Sequence, residues 1–492
     1  MARVVVVGGG FTGLAAAAWL ADFGHEVVLC EQHDMVGGAL REAEHDGARI
    51  DLAPGPITLP AVLRDLFRKT GRPLERVLDL IPAEPSFSYR FGDGSALELP
   101  NTSRAGITRS LDGAFGTGSG AAWLTVVDYG GAVWSAVRSP YLTAAPRRLS
   151  RLAATSLPGR RRQLGLERTL RSLTEGVLPS PLGSMLEHRA SGVDPRRMPA
   201  GLAAIAYVQQ TFGRWYVRGG AAHLVAAIHD RAAERGVTVR TSTAVTGIEH
   251  SGRRVTGVRL SDGGRLAADV VVAAVDAALL YRDLMPGTRR ARRTWPRSPG
   301  RFTLTLALDP RTAHPDGDAG VPGPADSPPG DPPRHTVLLS PDTDAALDAL
   351  HSDPARLPQS PTVDVYTAAD RSRITVSVLV PAHGDDVDWT APGAADDYAD
   401  RIITVLADRG TDVRDRIRWR HVHTPADTAT DTGANGGGEF GPAISRARDI
   451  AGRSNQTPVR GLFHVGRSAY PGPGIPLGGL SAAIVADLIG RA

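Results

Sequence analysis

Residues 3–20 read RVVVVGGGFTGLAAAAWL, and this stretch decides the fold. A run of four valines is typical of a strand that is buried on both faces of a parallel sheet. Three glycines follow at once, and the alanine-rich run after Gly13 predicts a helix. A glycine turn between such a strand and a helix presents free backbone N–H groups, together with the positive end of the helix dipole, to a phosphate.

Each glycine of this turn has an expected physical role. Gly8 allows the tight turn, Gly10 lets a pyrophosphate approach the backbone, and Gly13 lets the helix pack closely on the strand. We therefore predict that a dinucleotide contacts Gly8, Gly10, Phe11, Thr12 and Gly13.

An acidic residue completes the pattern. The predicted second strand, residues 25–30, ends at Glu31, whose carboxylate is placed to accept hydrogen bonds from the adenosine ribose hydroxyls. The same carboxylate disfavours NADP, because it would repel the 2′-phosphate. Strand, turn, helix, strand and acid occur in the order that the dinucleotide fingerprint requires. At this point both NAD and FAD remain possible.

The segment after Glu31 resembles the second FAD signature of the glutathione-reductase-like flavoproteins. This resemblance implies that Gln32, Gly37 and Gly38 lie beside an FAD. An arginine often follows the double glycine in those proteins, whereas here Ala39 takes that place.

A later segment, residues 217–249, returns to the helix–strand pattern of a nucleotide domain. In related flavoproteins the position of Val245 meets the adenine through its backbone. An ordinary helix–strand unit explains Val245 equally well.

The C-terminal region carries the second specific pattern. Residues 462–465 predict a short buried strand, Gly466 a turn, and a helix is expected to begin near residues 478–481. The free N–H groups of that helix would stabilise negative charge on a reduced flavin. We predict cofactor contacts at Gly466, Gly474, Ile475 and Pro476, and flavin-proximal catalytic roles for His464, Arg467 and Tyr470.

With both ends in view, the chain resembles the bacterial carotenoid desaturases, the phytoene-desaturase-like flavoproteins, over nearly its full length. The resemblance implies FAD and an activity that removes hydrogen from carbon–carbon bonds of an apolar polyene or isoprenoid. Most of that family carry histidine where this chain has Tyr470. Two alternatives stay open: an FAD-dependent oxidase or isomerase of another secondary metabolite, such as a polyketide or an amine, and a prenyl-binding carrier without redox function.

The predicted fold class is α/β: a Rossmann-like FAD-binding domain of the glutathione-reductase type with an inserted α+β substrate domain. The FAD-binding domain is expected to comprise residues 1–99, 214–282 and 455–492. The substrate domain is expected to comprise a helical part, residues 100–213, and a sheet part, residues 283–454. A Pro/Gly/Asp-rich stretch, residues 313–333, is expected to be a surface loop.

Composition limits which kinds of ligand and partner we expect for this protein. The formal charge of +4 on 492 residues gives no reason to expect nucleic-acid binding. The single cysteine, Cys30, excludes an internal disulfide and a cysteine-rich metal site, and we predict no metal. The sequence has no apolar run long enough to span a bilayer and no signal-peptide pattern, so we expect a cytoplasmic protein. The sequence leaves the oligomeric state open.

Residues 146–171 mix arginines with leucines. This pattern fits a surface patch that contacts anionic lipid at the inner face of the cell membrane, where an apolar substrate would enter. A solvated basic surface on ordinary helices explains the pattern as well.

Overall fold

The computed structural model describes residues 1–142, 156–190, 192–309, 334–384, 386–446, 449 and 453–492. The predicted loop at 313–333 and residues 146–155 of the arginine-rich segment lie outside these ranges.

Nineteen β-strands occur in the described part of the chain, numbered here in chain order: β1 (Arg3–Val7), β2 (Glu26–Cys30), β3 (Glu42–His45), β4 (Ala48–Asp51), β5 (Leu80–Pro82), β6 (Phe87–Arg90), β7 (Ala96–Leu99), β8 (Trp215–Val217), β9 (Thr238–Arg240), β10 (Val245–Ser251), β11 (Arg254–Leu260), β12 (Arg265–Ala267), β13 (Val270–Ala273), β14 (Gly300–Leu308), β15 (Arg334–Leu338), β16 (Val363–Thr367), β17 (Arg373–Val380), β18 (Ile417–His423) and β19 (Leu462–His464).

The same ranges contain thirteen α-helices: α1 (Phe11–Asp22), α2 (Pro60–Thr70), α3 (Arg104–Phe115), α4 (Ser119–Val137), α5 (Pro158–Gln163), α6 (Leu170–Glu175), α7 (Ser180–Arg189), α8 (Ala204–Phe212), α9 (Ala221–Glu234), α10 (Thr343–His351), α11 (Ala394–Asp408), α12 (Pro425–Thr432) and α13 (Ile475–Ile489).

The predicted nucleotide-binding domain is built on a five-stranded parallel sheet with strand order β19-β13-β1-β2-β9. Side chains alternate across it as the pleat requires. Val4 and Val6 pack with helices α1, α9 and α13, whereas Val5 and Val7 pack with the antiparallel strands β10–β12 on the other face. The valine run is therefore buried on both faces, as its composition predicts.

This topology sets where a ligand can bind. Strand β1 is central and all its neighbours are parallel, so the carboxyl ends of β1, β2, β13 and β19 meet at one edge of the sheet. Open α/β sheets bind ligands in the crevice outside these ends. The turn after β1 lies at this edge.

The second sheet has seven strands in the order β18-β14-β17-β16-β15-β6-β7, antiparallel except where β15 meets β6. Its apolar positions, such as Phe302 and Val376, pack against helix α11. At the other end, β6 and β7 join a helical core formed with α3, α4 and α6–α8. The intervening positions of β14, β16 and β17 face the opposite way, toward the first domain.

The α/β fold with a Rossmann-like domain and a second, mixed domain is confirmed. The residue limits of the domains stay predictions, and the strand pairing bears on one of them. Strands β6 and β7, within the expected 1–99 segment, pair in the seven-stranded sheet because β6 aligns with β15 and not with the parallel sheet.

Among the described helices none is both long enough and apolar enough to cross a membrane.

Candidate functional site

The glycine turn after β1 has the close packing that its sequence predicts. A Cβ atom on Gly13 would lie 2.0 Å from the carbonyl oxygen of Gly8, so only glycine lets α1 start so close to the strand. A Cβ atom on Gly10 would meet only the Cα of Gly38, at 3.8 Å. Gly10 therefore leaves open space in front of the turn, where a pyrophosphate can approach the backbone.

The double glycine of the second signature packs directly on this turn. The N–H of Gly37 donates to the carbonyl of Gly9 at 3.0 Å, and Gly37 and Gly10 form an isolated parallel bridge. Gly37 has φ of 137° and Gly38 of 57°, both in the region that favours glycine. The two glycine segments thus form one backbone surface.

Glu31 stands at the end of β2 with its carboxylate turned toward the turn. Its Oε2 accepts the Gly9 N–H at 2.7 Å, and its Oε1 accepts the N–H of His33 at 3.0 Å. The side chain is buried, and each oxygen keeps acceptor capacity for a further donor such as a ribose hydroxyl.

These elements line one cavity of about 490 Å³. Of the fourteen predicted cofactor contacts, Pro476 alone does not line this cavity. The thirteen that do are Gly8, Gly10, Phe11, Thr12, Gly13, Glu31, Gln32, Gly37, Gly38, Val245, Gly466, Gly474 and Ile475. The structure brings these residues together, and the individual contacts with a cofactor stay predictions.

The C-terminal helix corrects the sequence analysis. Helix α13 begins at Ile475 and not near residues 478–481, so one more turn of helix lies at the cavity. Pro476 lies in the first turn of the helix, where proline is well tolerated because its missing N–H has no intrahelical partner. The open start of the helix therefore faces the cavity from Gly474.

Of the three predicted catalytic residues, Arg467 lines the cavity and donates to the carbonyl of Gly438 at 3.2 Å. His464 is buried outside the cavity lining, where its Nε2 pairs with the carbonyl of Val275 at 2.9 Å. Burial lowers the pKa of His464, so its imidazole is neutral. His464 therefore fixes the end of β19 in this structure, and a catalytic role for it stays a prediction that its surroundings do not support.

Tyr470 is likewise buried and does not line the cavity. Its carbonyl accepts from Asn455 Nδ2 at 2.8 Å, and the same Nδ2 donates to the His464 carbonyl at 3.1 Å. Sequence reasoning missed Asn455, which ties the turn after β19 together. The signal for it was weak, because a single asparagine in a loop is common.

The wall opposite the glycine turn was also missed. It consists of polar side chains from the seven-stranded sheet and the segments beside it: Arg301, Thr303, Tyr366, Ser377, His423, Thr428, Asp431 and Glu439. The alternation within β14 carries the signal, because Phe302 and Leu304 are core residues and the positions between them are polar.

A second set of polar side chains lies beside the two glycine segments. Arg41 pairs with Asp431, and the Nε2 of His423 lies 3.1 Å from Thr428 Oγ1 and 3.9 Å from an oxygen of Asp431. Burial lowers the pKa of His423, so its ring is neutral near pH 7. No cluster of three or more His, Cys, Asp or Glu residues suited to a metal occurs in the described ranges.

The residues present fit an FAD. Gly10, Gly466 and Gly474 have no backbone or side-chain atom nearer than 3.8 Å to an added Cβ, so their backbones are open to a ligand in the cavity. Helices α1 and α13 both begin there, and Glu31, beside the glycine turn, supplies an acceptor. The fold and this site together define a flavin-dependent oxidoreductase of the Rossmann type.

The model of the family described as flavin-containing amine oxidoreductase matches residues 11–299, more than half of the chain. The chain belongs to this family and is an FAD-dependent oxidoreductase.

Similar proteins agree with this assignment. The chain is 27% identical to 4,4'-diapolycopene oxygenase from Methylomonas sp, across 99% of this chain and 98% of that protein. It is 26% identical, with the same coverage, to 4,4'-diaponeurosporene oxygenase from Staphylococcus aureus. A solved structure of putrescine oxidase bound to putrescine superposes with a TM-score of 0.63 at 15% identity, covering 99% of this chain and 98% of that one.

Replacing Glu31 with glutamine is expected to weaken FAD binding by about tenfold or more. The amide nitrogen cannot accept the N–H of Gly9 or His33, so one of these donors loses its partner, and one of the two oxygens that could accept from the ribose is lost as well. Titration of the apoprotein with FAD, followed by flavin fluorescence, measures the change. Glu26→Gln, at the exposed start of the same strand, is the matched control, and equal affinities for the two variants would refute the role given to Glu31.

Proposed function

We propose that this enzyme removes hydrogen from carbon–carbon bonds of a carotenoid or a similar polyisoprenoid, as a carotenoid desaturase does. The main support is similarity over the full length to two proteins named for their action on 4,4'-diapolycopene and 4,4'-diaponeurosporene. The cavity lining includes apolar side chains such as Leu52, Leu279 and Leu284, which suit contact with a hydrocarbon.

FAD, when bound, supplies the ability to take a hydride from a C–H bond. The chain's own residues have to orient the substrate, exclude water and hold the proton that leaves the neighbouring carbon. His423 suits the last task because it lines the cavity and its neutral ring has a nitrogen that can take a proton. The carboxylate of Asp431, 3.9 Å from the Nε2 of His423, would stabilise the positive charge that results.

Oxygenation of a carotenoid is the second candidate, because both similar proteins are named oxygenases. An amine oxidase or isomerase activity on another secondary metabolite has only the family description and the fold of putrescine oxidase behind it.

Expression in a carotenoid-producing host, followed by mass analysis of the pigments, tests these alternatives. A product that lacks two hydrogens supports desaturation, and a product that gains oxygen supports oxygenation. An isomer formed without net electron transfer supports isomerisation. The Gly10→Val variant is the matched control for background activity, and a pigment profile equal to that of this control would overturn the proposal.

We also propose that the enzyme works at the inner face of the cell membrane, where an apolar substrate is dissolved. In the described part of the arginine-rich segment, Leu157 is 56% exposed and directly precedes α5, on which Arg160 and Arg162 are exposed. An exposed leucine beside arginines suits the interface of an anionic bilayer. Co-sedimentation with vesicles that contain an anionic lipid tests this, and recovery of all protein in the supernatant would contradict it.

A further inference from the structure

The wall of the cavity contributed by the seven-stranded sheet is polar, although the proposed substrate is largely apolar. Arg301 and Thr303 on β14, Tyr366 on β16 and Ser377 on β17 all line it, and Glu439 reaches it from the loop after α12. Register brings them together, because Thr303 pairs with Ser377 across β14 and β17. These groups lose contact with water when the cavity fills.

Tyr366 is held rigidly, with its hydroxyl in the cavity. Its ring stacks on His335, with ring centres 4.5 Å apart and planes 6° from parallel. His335 is fixed in turn by Asp364 Oδ1 at 2.7 Å and by Arg214 Nη2 at 3.0 Å. The hydroxyl lies beside Gly55, where an added Cβ would be 3.2 Å from it.

The hydroxyl of Tyr366 makes no hydrogen bond to any residue in the described ranges. Burial, with a contribution from Asp364, raises the pKa of Tyr366 well above its usual value, so the group stays protonated and can donate. A buried phenol hydroxyl that faces a cavity normally has a partner. Its partner is therefore to be sought in what fills the cavity.

Arg301 stands on the same wall with its charge already neutralised. Its Nε and Nη2 donate to the two oxygens of Glu439 at 2.5 and 2.9 Å, and its Nη1 donates to Ser377 Oγ at 2.6 Å. Burial alone would lower the pKa of Arg301, but Glu439 outweighs burial and the pKa is raised. Three of the five guanidinium N–H groups are used, which leaves donors for a ligand.

The hydrogen-bonding capacity and the charge of these side chains indicate which kind of ligand the wall can bind. The remaining N–H groups of Arg301 can only donate, and the protonated hydroxyl of Tyr366 has a hydrogen to donate, so both are satisfied by an acceptor. The Arg301–Glu439 ion pair is neutral as a unit, so it offers no net charge to a carboxylate or to an ammonium group, and both Glu439 oxygens already accept from Arg301. A pure hydrocarbon would leave the donors desolvated and without partners.

We propose that Tyr366 and Arg301 bind a neutral oxygen, a carbonyl or a hydroxyl, on the substrate, so that the enzyme acts on an oxygenated polyene in preference to the bare hydrocarbon. This inference rests on the proposed function and narrows its substrate class. Tyr366 supplies a rigid donor, and the Arg301–Glu439 pair supplies a second one beside it.

The test compares two ligands of one chain length: 4,4'-diaponeurosporene and the same polyene with a terminal aldehyde. Binding to the FAD-loaded protein is measured by the change in the flavin absorption spectrum, without turnover. We expect the aldehyde to bind at least tenfold more tightly than the hydrocarbon. Tyr366→Phe should weaken aldehyde binding about tenfold, the loss of one hydrogen bond, and leave hydrocarbon binding unchanged.

A second variant keeps the proposal testable if the first one is ambiguous. Replacing Arg301 and Glu439 together with methionine removes the pair without leaving an unpaired charge, and should reverse the preference toward the hydrocarbon. Tyr398→Phe is the control, because its hydroxyl lies on the other face of the sheet, 3.4 Å from the carbonyl of Pro358. FAD content is measured for each variant, so that a loss of cofactor is not mistaken for a loss of ligand binding.

Each outcome has a distinct meaning. Preference for the aldehyde that disappears in Tyr366→Phe supports the proposal. Equal binding of both polyenes, or an aldehyde preference that survives both variants, overturns it and leaves the proposed function intact. Failure of both polyenes to perturb the flavin spectrum overturns the proposed function together with the inference.

Discussion

Replacing Gly10 with valine is expected to give a folded protein that no longer retains FAD. Gly10 has φ of −71° and ψ of 173°, an extended conformation that valine adopts readily, so the backbone is not strained. The new methyl groups would enter the open space in front of the turn, because the nearest atom to an added Cβ is 3.8 Å away. That space is where the pyrophosphate has to meet the backbone.

Two comparisons make this result informative. Gly287→Val places the same side chain at an exposed glycine with no atom within 4 Å, and should keep both fold and flavin. Gly13→Ala should fail to fold stably, because its Cβ would lie 2.0 Å from a backbone oxygen. Circular dichroism and the flavin absorption of purified protein distinguish the three. Full flavin content in a folded Gly10→Val protein would show that the pyrophosphate lies elsewhere.

The sequence predicts the cofactor end of the cavity well because that end is made of local motifs. The strand, turn, helix, strand and acid of residues 3–31 lie close together in the chain, and each residue type has a backbone reason to be there. The double glycine at Gly37 and Gly38 and the C-terminal Gly466 are similar cases. They can be placed without knowledge of the rest of the fold.

The substrate end could not be placed in the same way. Arg301, Tyr366 and Ser377 come from three strands, and their neighbourhood depends on the register of β14 with β17 and of β17 with β16. Alternation within one strand shows that Arg301 and Thr303 face away from the core. It does not show which other strand lies alongside, and so the polar wall appears only in the structure.

For the predicted catalytic residues, the sequence gives the position in the chain but not the direction of the side chain. His464 and Tyr470 are close in sequence to Gly466, which lines the cavity, but closeness in sequence does not decide where a side chain points. The network around Asn455 turns both residues into the interior, whereas Arg467, between them, reaches the cavity. A loop after a short strand leaves these directions open until its hydrogen bonds are known.

Between pH 6.5 and about 4, the protein is expected to lose stability through His335. Burial lowers the pKa of His335 from 6.5 to about 4, despite its hydrogen bond to Asp364. The unfolded chain therefore takes up this proton before the folded protein does, so the free energy of unfolding falls as pH drops through this range. The difference corresponds to about 3 kcal/mol once pH reaches the folded pKa.

The surroundings of His335 explain the direction. Arg214, also buried, faces one ring nitrogen and would repel a charged imidazole, and His188 shares the Asp364 carboxylate. The two histidines hold the pKa of Asp364 well below its usual value against the effect of burial. Asp364 therefore stays ionised through the whole window, and its own contribution is lost only at lower pH, after that of His335.

Replacement of His335 by glutamine should lower stability at pH 7, because the stacking on Tyr366 is lost, but should flatten the fall between pH 6.5 and 4. Thermal unfolding midpoints of the variant and the parent are measured across this range at fixed FAD concentration. The difference between their pH dependences is the contribution of His335, because all other groups titrate in both proteins. His229→Gln, at a site where the side chain is 37% exposed, is the control and should follow the parent curve. If the His335→Gln curve ran parallel to that of the parent, the buried histidine would not be a source of acid lability. The neutral, hydrogen-bonded His335 inferred to hold the Tyr366 ring in place would then be contradicted.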